Sequence, residues 1–269
     1  MILVTGATGN VGRQVVAQLC AAGVPARALT RDTTATFPPG VEVARGDLRE
    51  PLDLRGVDGV FLMWPLHSGA ALPSVLDAIG ARHVVYLGSG GVRDLTMAAQ
   101  AELVSRCPQW TVIRPSTFAV NALWWAGQIR EGDEVRGAHG DLAMAMLHEA
   151  DIAAVAVRSL LDRRVGQTYD LTGPEALTQA EQVRIIGEVL GRPLRWVELP
   201  RAEARAQLLV DGLPESFVDV LLDAYTVMPR QPVVTSTVAD VTGRPARTFA
   251  RWVADRAAEF RASSARASS

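Results

Sequence analysis

The chain has 269 residues, of which 48% are hydrophobic and 21% charged, a balance typical of globular proteins that excludes a disordered or fibrous chain. Its 27 basic residues are all arginine and are offset by 29 acidic ones, which leaves no positive excess for nucleic acid and excludes chemistry that needs a lysine. Cys20 and Cys107 cannot form a disulfide framework or a four-ligand zinc site by themselves, and they favour a reducing, cytoplasmic setting.

Short apolar segments alternate with helical segments in the first half of the chain, a pattern typical of βαβ units and a parallel sheet. The predicted strands of this half are Ile2–Thr5, Ala26–Thr30, Val41–Arg45, Gly59–Met63, Val84–Gly88 and Thr111–Arg114. The predicted helices between them are Val11–Ala22, Ala70–Ile79 and Leu95–Arg106.

The second half of the chain has a looser pattern. Its predicted elements are a helix at Asp151–Leu161, a strand at Gln167–Leu171, a helix at Thr178–Leu190 with a capping box, a strand at Arg195–Leu199, helices within 201–225 and a terminal helix at Arg247–Arg261. The predicted fold class is α/β, a Rossmann-type doubly wound parallel sheet with a small C-terminal substrate lobe. We expect the Rossmann domain to span 1–150, with its sheet completed by about 151–175. A small, mostly helical lobe would follow at 176–261, and a disordered tail at 262–269.

Three glycines, Gly6, Gly9 and Gly12, lie between the first predicted strand and the first predicted helix. In this context the first glycine allows a tight turn, the second lets the backbone approach a pyrophosphate, and the third permits close packing of helix on strand. The phosphates would meet the free N–H groups at the helix start. The predicted dinucleotide-binding residues of this loop are Gly6, Thr8, Gly9, Asn10, Val11, Gly12 and Arg13.

The end of the second strand indicates which dinucleotide binds. NAD sites usually place an acidic residue there, to accept hydrogen bonds from the ribose 2′-hydroxyl. Here Arg31 stands at that point and could hold a 2′-phosphate, with Arg13 as a second contact. Asp32 follows one residue later and could serve an NAD ribose or pair with Arg31. We therefore predict NADP(H), with NAD(H) as the less favoured cofactor.

Further candidates follow the carboxyl ends of later strands, where open α/β sheets bind ligands. After the third strand these are Asp47, which could instead cap a helix, and Leu48. The remaining predicted cofactor residues are Met63, Trp64, Pro65, Gly88, Ser89 and Pro115.

These motifs together resemble the NmrA-like atypical short-chain dehydrogenase/reductases. The resemblance is carried by Ile2–Arg13, Leu29–Arg31, Gly46–Leu48, Ile113–Pro115, Asp151–Val155, Tyr169–Pro174 and the stretch from Leu177 to Pro193. Within that family the sequence is most similar to NAD(P)H:quinone oxidoreductases. The resemblance implies NADP(H) at the glycine loop and a substrate cleft over the nicotinamide.

One departure from typical short-chain reductases bears on the chemistry. Those enzymes use Tyr-x-x-x-Lys on the helix after the fifth strand, where this chain has Ala98 and Glu102. Weak candidates for a proton donor are Tyr169 and His148. Reducing a quinone leaves a phenolate, whose acid has a pKa of about 10, whereas an isolated ketone leaves an alkoxide near 16, a difference of roughly 8 kcal/mol. We therefore predict an oxidoreductase that passes hydride to a quinone-like or polycyclic aromatic carbonyl substrate.

The substrate pocket is predicted to be apolar and aromatic. Its candidates are Trp64, Phe118, Asn121, Trp124 and Met144, although the apolar ones could equally form ordinary core and Asn121 could cap a helix. Two rival functions stay open: a non-catalytic NADP-sensing regulator, and a tailoring ketoreductase or isomerase of secondary metabolism. We expect a monomer or homodimer, a small-molecule partner, and no nucleic acid, membrane or metal.

Overall fold

The computed structural model describes residues 1–64, 69–89 and 95–261. Its strands are β1 (Ile2–Val4), β2 (Ala26–Thr30), β3 (Glu42–Arg45), β4 (Gly59–Met63), β5 (His83–Leu87), β6 (Trp110–Pro115), β7 (Thr117–Phe118), β8 (Glu134–Gly137), β9 (Ala143–Met144), β10 (Met146–Leu147), β11 (Gln167–Leu171), β12 (Leu177–Thr178) and β13 (Arg195–Glu198). Its α-helices are α1 (Asn10–Ala21), α2 (Leu72–Ile79), α3 (Leu95–Val104), α4 (Ala126–Glu131), α5 (Glu149–Leu161), α6 (Gln179–Leu190), α7 (Arg201–Val210), α8 (Glu215–Val227), α9 (Thr237–Thr242), α10 (Phe249–Asp255) and α11 (Ala257–Phe260). A 3-10 helix spans Ala119–Trp125. The predicted cofactor residue Pro65 and the predicted tail 262–269 lie outside the described residues.

The first of two compact units contains the central sheet. This unit comprises Met1–Ser116, Glu149–Thr172 and Thr235–Ala246. Its seven strands have the order β3-β2-β1-β4-β5-β6-β11, and every neighbouring pair is parallel. The order reverses between β1 and β4, which is the switch point of a Rossmann sheet. The predicted fold class is therefore confirmed.

Helices cover the sheet on both faces because the strands are apolar on both. Strand residues such as Leu3, Leu62 and Tyr86 share a buried cluster with residues of α2. The alternate residues face the other way: a Cβ on Gly59 would lie 3.1 Å from both Ile2 and Leu160, and Leu160 belongs to α5. Helix α5 packs in turn on α1, so the sheet is buried between two helical layers.

The second unit comprises Thr117–His148, Gly173–Val234 and the chain from Arg247 onward. It contains three two-stranded pairs, β7 with β10, β8 with β13, and β9 with β12. Its core is rich in aromatic residues, with Trp252, Phe249 and Phe260 almost completely buried. The predicted capping box of α6 is present, since the Thr178 hydroxyl accepts from the backbone N–H of Glu181 at 3.1 Å and the Glu181 carboxylate accepts from the Thr178 N–H at 2.8 Å.

The boundaries of these units correct the predicted domain limits. Residues 117–148 were predicted within the Rossmann domain, but their short strands β7 to β10 pair within the second unit. Residues 235–246 were predicted within the lobe, but α9 packs on α5 and β11 of the first unit. The single terminal helix predicted at Arg247–Arg261 is two helices, because the chain leaves the helical conformation at Arg256. No described helix has both the length and the apolar character needed to cross a bilayer.

His83, at the start of β5, is a buried histidine that is 1% exposed. Its Nε2 lies 2.9 Å from the hydroxyl of Thr111, and that hydroxyl donates its hydrogen to the carbonyl oxygen of Arg164 at 2.5 Å. Nε2 must therefore carry the hydrogen of the imidazole, and the buried Nδ1 has no hydrogen-bond partner in the described chain. Burial, helped by the charge of Arg163, lowers the pKa of His83 to about 4.

Acidification should therefore destabilise the protein through His83. Between pH 6.5 and about 4, the unfolded chain binds a proton at this residue that the folded protein excludes. This contribution to stability is complete above pH 6.5 and falls by up to about 3 kcal/mol as the pH approaches 4. Urea unfolding at pH values of about 7, 5.5 and 4.5 measures the loss, with His83→Gln as the control that cannot titrate. The variant should show the weaker pH dependence, and parallel curves for the two proteins would contradict this role of His83.

Candidate functional site

A cavity of about 180 Å³ opens at the carboxyl ends of the strands on either side of the switch point. All of its lining residues belong to the first unit: Thr5, Gly6, Thr8, Gly9, Leu29, Thr30, Arg31, Gly46, Asp47, Leu48 and Met63. They follow or end β1, β2, β3 and β4, so four separate segments of the chain meet at one edge of the sheet. This is the edge at which open α/β sheets bind ligands.

The glycine loop forms the floor of this cavity, and its backbone leaves no room for side chains. Gly6 has a φ of +59°, a left-handed conformation that favours glycine, and its carbonyl oxygen accepts from the Gly9 N–H at 2.9 Å. A Cβ on Gly12 would lie only 2.1 Å from that same carbonyl oxygen, and one on Gly9 would lie 3.2 Å from it. Residue 12 must therefore be glycine for α1 to pack against the turn after β1. At Gly9 the loop presents backbone without a side chain.

The start of α1 is suited to an anion. Gly9 is its N-cap residue, and among the described residues no side chain caps the helix or places an acidic group in its first turn. The first N–H groups of a helix have no partner within the helix, and the helix dipole makes this end positive. A phosphate group would satisfy both features.

Thr5 ties the two central strands together at the switch point. Its buried hydroxyl accepts from the Met63 N–H at 2.7 Å and donates to the Met63 carbonyl oxygen at 3.0 Å. Thr5 is not among the site residues predicted from the sequence, and neither are Leu29, Thr30 and Gly46. All four lie at or just past the carboxyl end of a strand, so the rule that found Met63 could have found them.

The charged side chains at the carboxyl edge of the sheet belong to residues that follow β2 and β3. The Arg31 guanidinium is 3.6 Å from the Asp47 carboxylate, which also accepts from the backbone and side chain of Arg49. The bonds from Arg49, with a smaller contribution from the charge of Arg31, lower the pKa of Asp47 to about 2. Asp47 thus forms a local turn with Arg49 and does not cap a helix. The carboxylate of Asp32 accepts from the N–H and hydroxyl of Thr34, at 2.8 and 2.7 Å, and does not line this cavity.

The predicted cofactor residues divide into three groups. Seven line the cavity described above: Gly6, Thr8, Gly9, Arg31, Asp47, Leu48 and Met63. Arg13 lines a second cavity of about 280 Å³ that shares Thr8 with the first, and its side chain donates to the carbonyl oxygens of Thr8 and Gly9. The others line neither of the two cavities: Asn10, Val11, Gly12, Trp64, Gly88, Ser89 and Pro115.

The predicted substrate residues are divided between the two units, with Trp64 in the first and Phe118, Asn121, Trp124 and Met144 in the second. Trp64 is 5% exposed and belongs to the core of the first unit, in the same buried cluster as Leu62 and Leu72. Met144 is buried in the core of the second unit. Trp124 packs edge-to-face on Phe217 with ring centroids 5.9 Å apart. Trp64 and Met144 are therefore core residues, which was the alternative to a role in the substrate pocket.

The other two candidates for the substrate pocket, Phe118 and Asn121, are half-buried residues of the second unit. Phe118 ends β7 and precedes the 3-10 helix. Asn121 lies inside that helix, so its predicted capping role is wrong. Their part in substrate binding stays a prediction.

Neither weak candidate for a proton donor lies at the cavity. The side chain of Tyr169 interacts with the Arg164 guanidinium, whose pKa it raises, and Arg164 precedes the amino end of β11. Tyr169 is the middle residue of β11 and is not among the residues that line the cavity. His148 is a buried residue of the second unit, with Nε2 3.5 Å from the carboxylate of Asp255.

The parallel sheet in Rossmann order, with a glycine turn at its reversal, defines a Rossmann-type protein with an anion-binding helix start. The NmrA-like family model matches residues 1–103. A (4-alkanoyl-5-oxo-2,5-dihydrofuran-3-yl)methyl phosphate reductase of Streptomyces griseus is 40% identical over 97% of this chain and 99% of its own length. An NAD(P)H azoreductase of Xenophilus azovorans is 36% identical over the same shares. The chain therefore belongs to the NmrA-like family, as its motifs predicted.

Solved structures of similar proteins share this fold. An NADPH-dependent quinone oxidoreductase from Escherichia coli, complexed with NADPH, superimposes with a TM-score of 0.80 at 25% identity. The match covers 95% of this chain and 99% of that one. The likeness therefore extends over both units and is not confined to the glycine loop.

Replacing Gly12 with alanine should destabilise the protein by about 2 kcal/mol or more, because the new Cβ would overlap backbone atoms that cannot move aside. Chemical denaturation measures the change. Gly127→Ala is the matched control: it lies inside α4, and an added Cβ would find no heavy atom of the described chain within 4 Å. That control should keep or raise stability, by at most about 1 kcal/mol. Equal stability of the native protein and Gly12→Ala would contradict the packing described for the loop.

Proposed function

We propose that the protein is an NADPH-dependent oxidoreductase that transfers hydride to a quinone-like or polycyclic aromatic carbonyl substrate. The observation that carries the proposal is the meeting of the glycine turn, the uncapped start of α1 and Arg31 around one cavity. The activities of two similar proteins, an NAD(P)H azoreductase and an NADPH-dependent quinone oxidoreductase, support the same class of reaction. The free thiols of Cys20 and Cys107 support a reducing, cytoplasmic location.

The residues of the cavity fit a dinucleotide phosphate. Gly9 and the N–H groups that open α1 would hold the pyrophosphate, since Gly9 presents bare backbone there and no described side chain caps the helix. Arg31 would hold the 2′-phosphate, and Leu29 with Leu48 offers an apolar wall for the adenine. When bound, this cofactor would supply the hydride.

The type of hydride acceptor is proposed from the lack of the usual tyrosine–lysine proton donor in the sequence. With no lysine, no residue can lower the pKa of a neighbouring tyrosine in the usual manner. At the positions of the usual pair, Ala98 is exposed and Glu102 is an exposed residue that pairs with Arg106 at 2.8 Å. The hydroxyl of buried Tyr86 donates to the Gln100 side chain at 2.7 Å. An acceptor that stabilises its own anion needs no such donor.

A second acceptor class is an activated enone. The relative from Streptomyces griseus is a (4-alkanoyl-5-oxo-2,5-dihydrofuran-3-yl)methyl phosphate reductase. Its name supports an enone as an acceptor for this protein. Reducing a double bond conjugated to carbonyl groups leaves a resonance-stabilised anion, as reducing a quinone does. Both acceptors therefore make the same limited demand on the protein's own acids.

Arg31→Ala should weaken NADPH binding about tenfold and leave NADH binding nearly unchanged, because the lost contact is a charge-assisted bond to a group that NADH lacks. Calorimetric titration with each cofactor measures the two affinities. Asp32→Ala is the control, since its carboxylate bonds to Thr34 and should leave both affinities nearly unchanged. Equal weakening of both cofactors by Arg31→Ala would assign that residue a purely structural role. A native protein that prefers NADH, and loses this preference in Asp32→Ala, would overturn the proposed cofactor.

The choice of acceptor tests the proposed reaction. NADPH oxidation should be rapid with a menadione-type quinone and very slow with simple aliphatic ketones. The phenolate that a quinone leaves and the alkoxide that a ketone leaves differ by roughly 8 kcal/mol in the free energy of protonation. Tyr86→Phe, Tyr169→Phe and Tyr225→Phe should each keep activity within about tenfold, because general acid catalysis usually contributes a hundredfold or more. A single one of these variants that still binds NADPH but loses about a thousandfold in rate would reveal a proton donor that we have not assigned.

A further inference from the structure

The carboxylate of Asp47 joins two arginine side chains at the edge of the cavity. Arg49 binds it with two bonds, Nε to Oδ1 at 2.9 Å and Nη2 to Oδ2 at 3.0 Å. The Nη1 of Arg31 lies 3.6 Å from that same Oδ2. Asp47 is 14% exposed, whereas Arg31 and Arg49 are 66% and 64% exposed. Two exposed guanidinium groups therefore approach one oxygen of a carboxylate that lines the cavity.

The same motif occurs a second time in the chain, among residues that do not line this cavity. Arg55 binds Asp53 through Nε and Nη2, both at 2.9 Å, and the buried Arg27 lies 3.7 Å from that carboxylate. Arg27 also binds Glu42 with two bonds of 2.9 and 3.1 Å. Two cations thus face two carboxylates there, and the cluster is neutral.

The carboxylate of Asp47 is shared between the two arginines. Among the described residues, Asp47 is the only carboxylate within 4 Å of Arg31, and Arg49 binds it as well, while the charge of Glu50 also acts on Arg49. A carboxylate alone on the cavity wall would repel a phosphate, but a carboxylate already held by a guanidinium fork does not. Both arginines are exposed, so a phosphate could reach them from solvent.

We propose that Arg49 is a second binding residue for the 2′-phosphate of NADP(H), placed beside Arg31 by Asp47. The inference rests on the proposed function, since it concerns the same cofactor. A phosphate monoester carries a charge of about −1.5 to −2 near pH 7 and has three acceptor oxygens, enough for two guanidinium groups. Arg49 then contributes to the preference for NADP(H) over NAD(H), and Asp47 is a positioning residue for both arginines.

Calorimetric titration with NADP⁺ and NAD⁺ tests this role. Arg49→Ala should weaken NADP⁺ about tenfold and NAD⁺ by less than about twofold. Arg55→Ala is the matched control, because it removes the same charge from the same motif at a cluster that does not line the cavity. It should change either affinity by less than about twofold.

A double variant separates direct binding from an effect through Arg31. In an Arg31→Ala background, Arg49→Ala should still weaken NADP⁺ severalfold if Arg49 contacts the phosphate. The inference is overturned if Arg49→Ala has no more effect than Arg55→Ala, if it weakens both nucleotides equally, or if it has no effect once Arg31 is gone. A native protein that binds neither nucleotide would overturn the proposed function as well. An ineffective Arg49→Ala in a protein that prefers NADP⁺ would overturn this inference alone.

Discussion

The contact between Gly12 and the carbonyl oxygen of Gly6 sets the geometry of the site. With a would-be Cβ only 2.1 Å from that oxygen, α1 can lie this close to the turn after β1 only because residue 12 has no side chain. The close approach places Gly9 at the helix start and directs the free N–H groups of α1 at the switch point of the sheet. The buried Thr5 hydroxyl then fixes β4 beside β1, so Met63 reaches the same cavity. The anion site is thus a consequence of backbone packing and needs few side chains.

Local patterns made the first unit predictable. Its apolar strands, the glycine spacing and the position of Arg31 at the end of β2 could all be read in short windows of sequence, and the structure brings them together as expected. Two of the residues missed at the cavity, Leu29 and Gly46, stand at or just past predicted strand ends, but they have no polar side chain that would mark them as ligand contacts. Which strand ends meet around one cavity follows from the strand order, which no short window of sequence contains.

Long-range pairing explains the errors. The strands β7 to β10 are two to four residues long, too short for a periodic signal, and they form through partners elsewhere in the second unit. Trp64 follows a strand, as a ligand contact would, yet its large apolar ring is buried against α2, an outcome decided by packing. A sequence window contains no information on which of these two environments a tryptophan will meet.

The interleaving of the two units has a consequence for how the protein is made. Each unit is assembled from three separated stretches of chain, and each takes its last stretch from beyond residue 234. The first unit needs α9 against α5 and β11, while the second needs Phe249, Trp252 and Phe260 in its core. The first unit therefore cannot complete its packing before α9 has left the ribosome, nor the second before α10 and α11 have, although the seven strands of the sheet end by residue 171. Until then a nascent chain would expose apolar surface, and loss of α10 and α11 would affect a core that includes residues more than a hundred positions earlier, such as Ile129.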